Sequence, residues 1–153
     1  MPAQAGYYSL VCRAGTLLCA LPAGNVVETM RPLPLEALPG VPEFVAGTSI
    51  IRGAPQPVIV LSRLLGAEAS TPQRLVVVRT GARLAALAVD EVLGFRLLSG
   101  SIAAALPPLL SGAARSSVTE LGALDGALLA VFDTSSLIPD GVFAVLDQGG
   151  AAA

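Results

Sequence analysis

The sequence predicts an all-β protein built as two SH3-like, five-stranded β-barrels packed together, with short helical turns between strands. Three observations predict it. Short apolar runs rich in Val, Leu, Ile and Ala are punctuated along the whole chain by 12 Pro and 16 Gly, the pattern of many short strands joined by turns. Hydrophobic residues make up 54% of the chain and aromatic residues only 4%, so the core is aliphatic. Two stretches of the first half recur in the second half, in the same order.

The first stretch is VCRAGTLLCAL, Val11 to Leu21, which lies on VVRTGARLAAL, Val77 to Leu87, at an offset of 66 residues. The second is RGAPQPVIVLSRLLG, Arg52 to Gly66, which lies on DGALLAVFDTSSLIP, Asp125 to Pro139, at an offset of 73. The glycines coincide in both alignments: Gly15 with Gly81, and Gly53 with Gly126. Each half then holds about five short strands, enough for a small closed barrel and too few for an open sandwich. The expected organisation is one domain over 7–147, with barrel halves 7–66 and 74–147, and a flexible tail over 148–153.

In order along the chain, Tyr7 to Arg13 and Thr16 to Leu21 read as a hairpin that Pro22 stops. With Ala14-Gly15 as its loop, Cys12 faces Leu17 and Cys19 faces Leu10. The two sulfurs are then diagonal neighbours, roughly 7–8 Å apart, too far for an unstrained disulfide. Both read as free, buried thiols. Asn25 reads as the cap of a short helix, Val26 to Met30, which Pro32 and Pro34 end. A Pro-rich irregular stretch follows to Pro42.

The central unit is Phe44 to Gly66. Thr48 to Ile51 favours a strand, and Gly53-Ala54-Pro55 breaks it. Val58 to Leu61 is a second apolar run, a strand covered on both sides or a buried helical piece, with its Val/Ile content favouring the strand. Ser62 reads as the cap of one helical turn that Gly66 ends. The second half reads as a hairpin over Leu75–Thr80 and Arg83–Val89, a strand Leu93–Leu98, and a loop Ser99–Ser117. A hairpin around Asp125-Gly126, a helical turn Thr134–Ile138 and a strand Val142–Leu146 complete it.

The chemistry of catalysis is missing. The chain has no His, no Lys and no Trp. Asp90 and Glu91 are adjacent, so along a strand they point apart and read as a charged strand end. No Cys/His/Asp/Glu cluster has metal-ligand spacing, no Gly-rich phosphate loop is present, and no serine has a base beside it in sequence. No enzyme, cofactor or metal is expected. A net charge of −2 offers no basic field for nucleic acid. MPAQAGYY carries no signal-peptide pattern, and no apolar run reaches the ~18 residues of a membrane span, so a cytoplasmic location without membrane insertion is expected.

Several of these pieces together resemble the chemotaxis coupling protein CheW family. They are CALP (Cys19 to Pro22), Val26-Val27-Glu28, the Pro-rich Arg31 to Gly47, and Gly47-Thr48-Ser49-Ile50-Ile51-Arg52-Gly53. In the second half they are Val76 to Gly94, Leu106 to Gly112, and LDGALLAVFD. The likeness runs from Tyr7 to Ile138. Two positions depart from the family pattern: Ile50 stands for a signature Asn, and Val60 for an Asp. The resemblance implies two SH3-like barrels with an apolar groove between them. It also implies a non-catalytic adaptor that couples the cytoplasmic tip of a chemoreceptor to the regulatory domain of a CheA-type histidine kinase. It points to Arg52, Glu28, Val27 and Ile50 as partner-binding positions. Read on the residues alone, Arg52 is also a solvated turn charge, Glu28 an exposed charge or a local partner of Arg31, and Val27 a core residue. A competing reading is a small barrel that binds an apolar ligand.

Overall fold

The computed structural model describes residues 7–66, 71–98, 118–124, 127–132 and 140–152. Ten strands form two five-stranded sheets. The strands are β1 (Tyr7–Ala14), β2 (Leu17–Pro22), β3 (Val26–Met30), β4 (Val45–Ile51), β5 (Ala54–Val60), β6 (Arg74–Thr80), β7 (Arg83–Val89), β8 (Glu91–Leu98), β9 (Val118–Leu124) and β10 (Ala127–Phe132). Among the described residues two α-helices accompany the sheets, α1 (Leu61–Leu65) and α2 (Asp140–Ala152). Sheet one has the order β8-β1-β2-β10-β9 and sheet two the order β3-β6-β7-β5-β4. Neither order closes into a ring by backbone pairing among the described residues.

The sheets do not follow the two halves of the chain. Sheet one takes β1 and β2 from the first half and β8, β9 and β10 from the second; sheet two does the reverse. The halves 7–66 and 74–147 are therefore repeats but not barrels. Among the described residues the repeat recurs in strand register. Shifted by 66, the pair Cys12–Cys19 of β1–β2 becomes Val78–Ala85 of β6–β7. Shifted by 73 and 66, the parallel pair Val131–Ala20 becomes Val58–Ala86. The bulges correspond as well. Val11–Gly94 and Cys12–Val92 match Val77–Glu28 and Val78–Val26, and Glu120–Val131 and Val118–Phe132 match Gly47–Val58 and Val45–Ile59. Chance similarity of apolar hairpins does not reproduce register and bulge position together.

Burial follows the strand period of two. Val76, Val78, Leu87, Val89 and Ile59 of sheet two join Leu10, Cys12, Cys19 and Leu21 of sheet one in a single core. Leu61, Leu64 and Leu65 of α1 and Val142, Phe143 and Leu146 of α2 complete that core. The intervening residues Leu75, Val77, Ala86, Ala88, Val58 and Val60 form a second cluster on the other face of sheet two. Covering both faces explains the unbroken apolar runs of β5, β6 and β7.

Local expectations changed in four places. Val26–Met30 is a strand, because its β-branched residues complete the edge of β6 and an isolated five-residue helix has no stability of its own. Val142–Leu146 lies inside α2, where Val142, Phe143 and Leu146 share one buried helical face; a continuous apolar run does not distinguish the two periods. The helix also runs through 148–152, the expected tail. The β1–β2 loop is Gly15-Thr16, one residue on from the expected Ala14-Gly15, which moves every cross-strand partner by two, so Cys12 faces Cys19 directly. Ser62 lies within α1 rather than before it; Val60 precedes the helix, and Gly66 ends it at φ 71°. The expected loop Ser99–Ser117, the Asp125-Gly126 turn and the helical turn Thr134–Ile138 lie outside the described residues.

One glycine is required by its neighbours. Gly47 has φ 147°, and a Cβ there would lie 2.4 Å from the Glu36 carbonyl oxygen. Glu36 and Thr48 exchange two backbone hydrogen bonds of 2.8 Å, and Ser49 Oγ donates to the Pro34 carbonyl at 2.7 Å. The Pro-rich segment thus covers the outer edge of β4, a guard against edge-to-edge pairing.

Two predictions follow from these contacts. Gly47→Ala destabilises by about 2–3 kcal/mol through backbone strain alone, a fall in Tm of roughly 5–10 °C, measured by thermal denaturation; an unchanged Tm contradicts the packing described. The thiols, both free and fully buried, stay unlabelled in the native state and both label after unfolding. Burial pushes the Cys12 thiol from 9.0 up to about 12 and also raises Cys19 well above its ordinary value, helped by Cys12 and Asp90 nearby. Because the folded value of Cys12 lies above the unfolded one, its contribution is complete below pH 9.0 and is lost as the pH rises towards 12. The loss runs at about 1.4 kcal/mol per pH unit, and Cys12→Ala should flatten that limb in denaturant titrations.

Candidate docking surface

The β4–β5 hairpin turns on two residues, Arg52 and Gly53, with φ of 54° and 81°. Two positive φ values in a two-residue loop are the requirement of the type I′ turn, whose first position favours Asn, Asp or Gly. Arg52 is the one non-glycine residue with positive φ among the described residues. A bulky L-residue there carries strain of order 1–2 kcal/mol. Its side chain reaches across the sheet: Arg52 Nε donates to Glu28 Oε2 at 2.9 Å. Glu28 sits where the β3–β6 register shifts, so its carboxylate stands at the bulge. The pair joins the two ends of sheet two, since β3 is first and β4 last in its strand order.

This pair is a surface feature. The side chains are 57% and 36% exposed, a setting in which an ion pair contributes about 0–1 kcal/mol. It does not account for the strain at Arg52. Two residues away, Ile50 is 65% exposed, opposite Pro55 in the hairpin. Its position leaves an apolar side chain beside a charged pair. Val27 turns the other way and packs on the second core cluster. Of the four positions singled out in sequence, the structure therefore brings Arg52 and Glu28 into contact, places Ile50 beside them and assigns Val27 to packing. Glu28 pairs with Arg52, not with Arg31. Val60 is buried in the same cluster and its N–H donates to the Phe44 carbonyl, so the apolar residue there is part of the core.

A second surface escaped the sequence reading. Tyr8 and Phe95 stack at 5.4 Å with their rings 10° from parallel, and Leu97, opposite Tyr8, is 69% exposed. These three form an apolar patch on the β1–β8 end of sheet one. The available signal was Tyr7-Tyr8: adjacent residues in a strand face opposite sides, so one Tyr has to leave the core. The matching place in sheet two is polar, where Arg74 Nη2 donates to Thr29 Oγ1 at 3.3 Å.

An open cleft of about 410 Å³ lies between the start of β5, the β6–β7 turn and α2, lined by Ala54, Pro55, Gln56, Arg83, Leu146 and Asp147. Arg83 holds Asp147 through two hydrogen bonds, Nη1 to Oδ1 at 2.9 Å among them, and its guanidinium lies 4.8 Å from the Phe143 ring centre. The Arg83 hydrogen bonds hold the Asp147 carboxyl below its usual value. Asp90 and Glu91 serve structure: Asp90 Oδ2 accepts from the Gly15 N–H at 3.2 Å, and Glu91 pairs with Arg13 at 3.4 Å. Among the described residues no group of three or more His, Cys, Asp or Glu is placed to hold a metal ion, and no helix is long and apolar enough to cross a membrane.

The model of the CheW-like domain matches residues 9–141. The chain belongs to the CheW-like domain family. It is similar to Protein FrzA of Myxococcus xanthus, 38% identical over 103 residues, 65% of this chain and 63% of FrzA; the match thus spans somewhat under two thirds of that relative. Its fold is that of the scaffolding protein TtCheW from Thermoanaerobacter tengcongensis, with a TM-score of 0.72 at 20% identity over 84% of this chain and 89% of that one.

The strain at Arg52 is measurable. Arg52→Asn, which tolerates the left-handed conformation, raises stability by about 1 kcal/mol, while Glu28→Gln changes it by less than about 1 kcal/mol. Chemical denaturation of both variants checks this. A large loss in either shows the pair to be structural.

Proposed function

We propose that the protein is a non-catalytic adaptor of a chemosensory pathway, coupling the cytoplasmic tip of a chemoreceptor to the regulatory domain of a CheA-type histidine kinase. Membership of the CheW-like domain family and the likeness to a scaffolding protein support the class of function. The observation that carries the site is Arg52, kept in a strained backbone conformation that a weak exposed ion pair does not repay. Such strain persists where function over-determines it.

The kinase domain docks on Arg52, Glu28 and Ile50. Arg52 supplies a rigid fork of donors for carboxylates or carbonyls of the partner, Glu28 orients it, and Ile50 supplies the apolar contact beside it. Ile50, where the family pattern has Asn, makes this surface more apolar and biases it towards a partner with a matching apolar patch. The stacked Tyr8 and Phe95 with Leu97 offer the receptor an apolar surface of the kind that helical partners cover. The competing reading, an apolar-ligand barrel, has less support: the cleft is open, and a charged pair lines it.

Affinity for the kinase regulatory domain tests the assignment. Arg52→Asn weakens binding at least about tenfold, some 1.4 kcal/mol, with no loss of Tm. Arg79→Ala, an exposed arginine on β6, leaves binding unchanged, and Leu97→Glu weakens binding of a receptor-tip fragment without affecting the kinase domain. Equal kinase binding by the Arg52 and Arg79 variants rejects the assignment of Arg52.

A further inference from the structure

The last helix is a poor helix by its own sequence. α2, Asp140–Ala152, has 13 residues and carries Gly141, Gly149 and Gly150. Glycine is the weakest helix former after proline, and a helix of this length is marginal in water even when rich in alanine. Docking therefore makes this segment helical. Val142, Phe143 and Leu146 enter the shared core, and their i, i+1, i+4 spacing puts them on one face. Phe143 and Asp147 stand one turn apart, and one side chain of sheet two holds both. Arg83 lies 4.8 Å from the Phe143 ring centre and donates two hydrogen bonds to the Asp147 carboxylate.

That catch is open to water. The Arg83 and Asp147 side chains are 42% and 56% exposed. The open cleft beside them is lined by Pro55 and Gln56 of β5 and by Leu146 of α2. Pro55 is the cross-strand neighbour of Ile50, so this flank of α2 adjoins the hairpin that carries Arg52. α2 pairs with no strand of either sheet. It follows the end of the internal repeat at Pro139, and all but its first two residues lie beyond the matched family region, 9–141.

We propose that α2 is a self-docked latch. It opens as a unit while both sheets stay folded, and the seat it leaves takes an amphipathic partner helix of the same pattern. That pattern is two adjacent apolar residues, a third one turn on, and a carboxylate beside the third. The occupant's chemistry is read from α2 itself. The floor of the seat belongs to the aliphatic core, and Arg83 at its rim is a rigid fork of donors that suits a carboxylate. A segment whose helicity depends on docking loses both together, so α2 opens in one step. Docked elements of this kind open locally more easily than the whole fold unfolds. Burial of Val142, Phe143 and Leu146 holds the latch shut, and Arg83 sets how firmly.

Hydrogen exchange on the intact chain reads the opening. The hydrogen-bonded amides of α2 exchange together, at least about tenfold faster than those of β6 and β7. Their rate depends less on denaturant, because opening α2 exposes less surface than unfolding does. Arg83→Gln, which leaves the helix sequence untouched, speeds α2 exchange by about fivefold. Gly141→Ala, where an added Cβ meets open space, slows it by about threefold. A labelled peptide of residues 140–152, its glycines replaced by alanine, probes the seat. It binds the Phe143→Leu chain, whose own helix is held less firmly, about tenfold more tightly than the unmodified chain. The same peptide with Asp147→Asn loses about threefold. Exchange of α2 at the rate of β6 and β7, or an α2 rate unmoved by Arg83→Gln, overturns the latch. A peptide that binds neither chain, or binds both equally, overturns the seat.

Discussion

Neither sheet of this protein is complete without the other half of the chain. The β1–β2 hairpin finds β8 on one side and β10 on the other, and the β6–β7 hairpin finds β3 and β5 in the equivalent places. Both parallel pairs among the described residues are contacts between repeats. An isolated hairpin is marginal in water, so neither repeat has a stable partial form to fall back on. The shared core has the same consequence, since Leu10, Cys19 and Leu21 of one sheet pack with Val76, Leu87 and Val89 of the other. The two sheets thus behave as one cooperative unit.

Within that frame the two sheets have diverged where they meet solvent. Sheet two carries the strained Arg52 and its partner Glu28 at the junction of its end strands, with Ile50 exposed beside them. The place in sheet one that matches the Arg74–Thr29 contact carries stacked Tyr8 and Phe95. Among the described residues the duplicated scaffold thus presents a charged pair on sheet two and an apolar patch on sheet one. Burial keeps the thiols of Cys12 and Cys19 protonated in the shared core.

Much of this was legible in the residues. Turn chemistry at Gly53 and Gly81, aliphatic runs of strand length, and two in-order matches at constant offset identify an all-β duplicated chain. The exposed charge at Arg52 is legible because it is the one charge inside an apolar hairpin. Less legible were the elements whose local preference is weak. Val26–Met30 satisfies a cap-and-proline pattern for a helix yet forms a strand, because β6 presents an open edge. Val142–Leu146 reads as a strand from its apolar run, and burial of Val142, Phe143 and Leu146 in the shared core goes with the helix instead. The Cys12–Cys19 register turned on a one-residue shift of the loop, which moves each cross-strand partner by two; alternation of side chains does not reveal it because both registers keep the same faces.

The sequence by itself determined the fold class, the repeat and the aliphatic core, since these depend on residue type, period and turn chemistry over short stretches. Only the tertiary structure decided which hairpin completes which sheet, that Arg52 meets Glu28 across 24 residues of chain, and that Tyr8 and Phe95 stack in solvent. The physical reason is that strand pairing between equivalent repeats is degenerate in sequence. The same registers satisfy a closed half and an exchanged one, and the choice between them rests on chain connectivity and on the burial of a core that both sheets share.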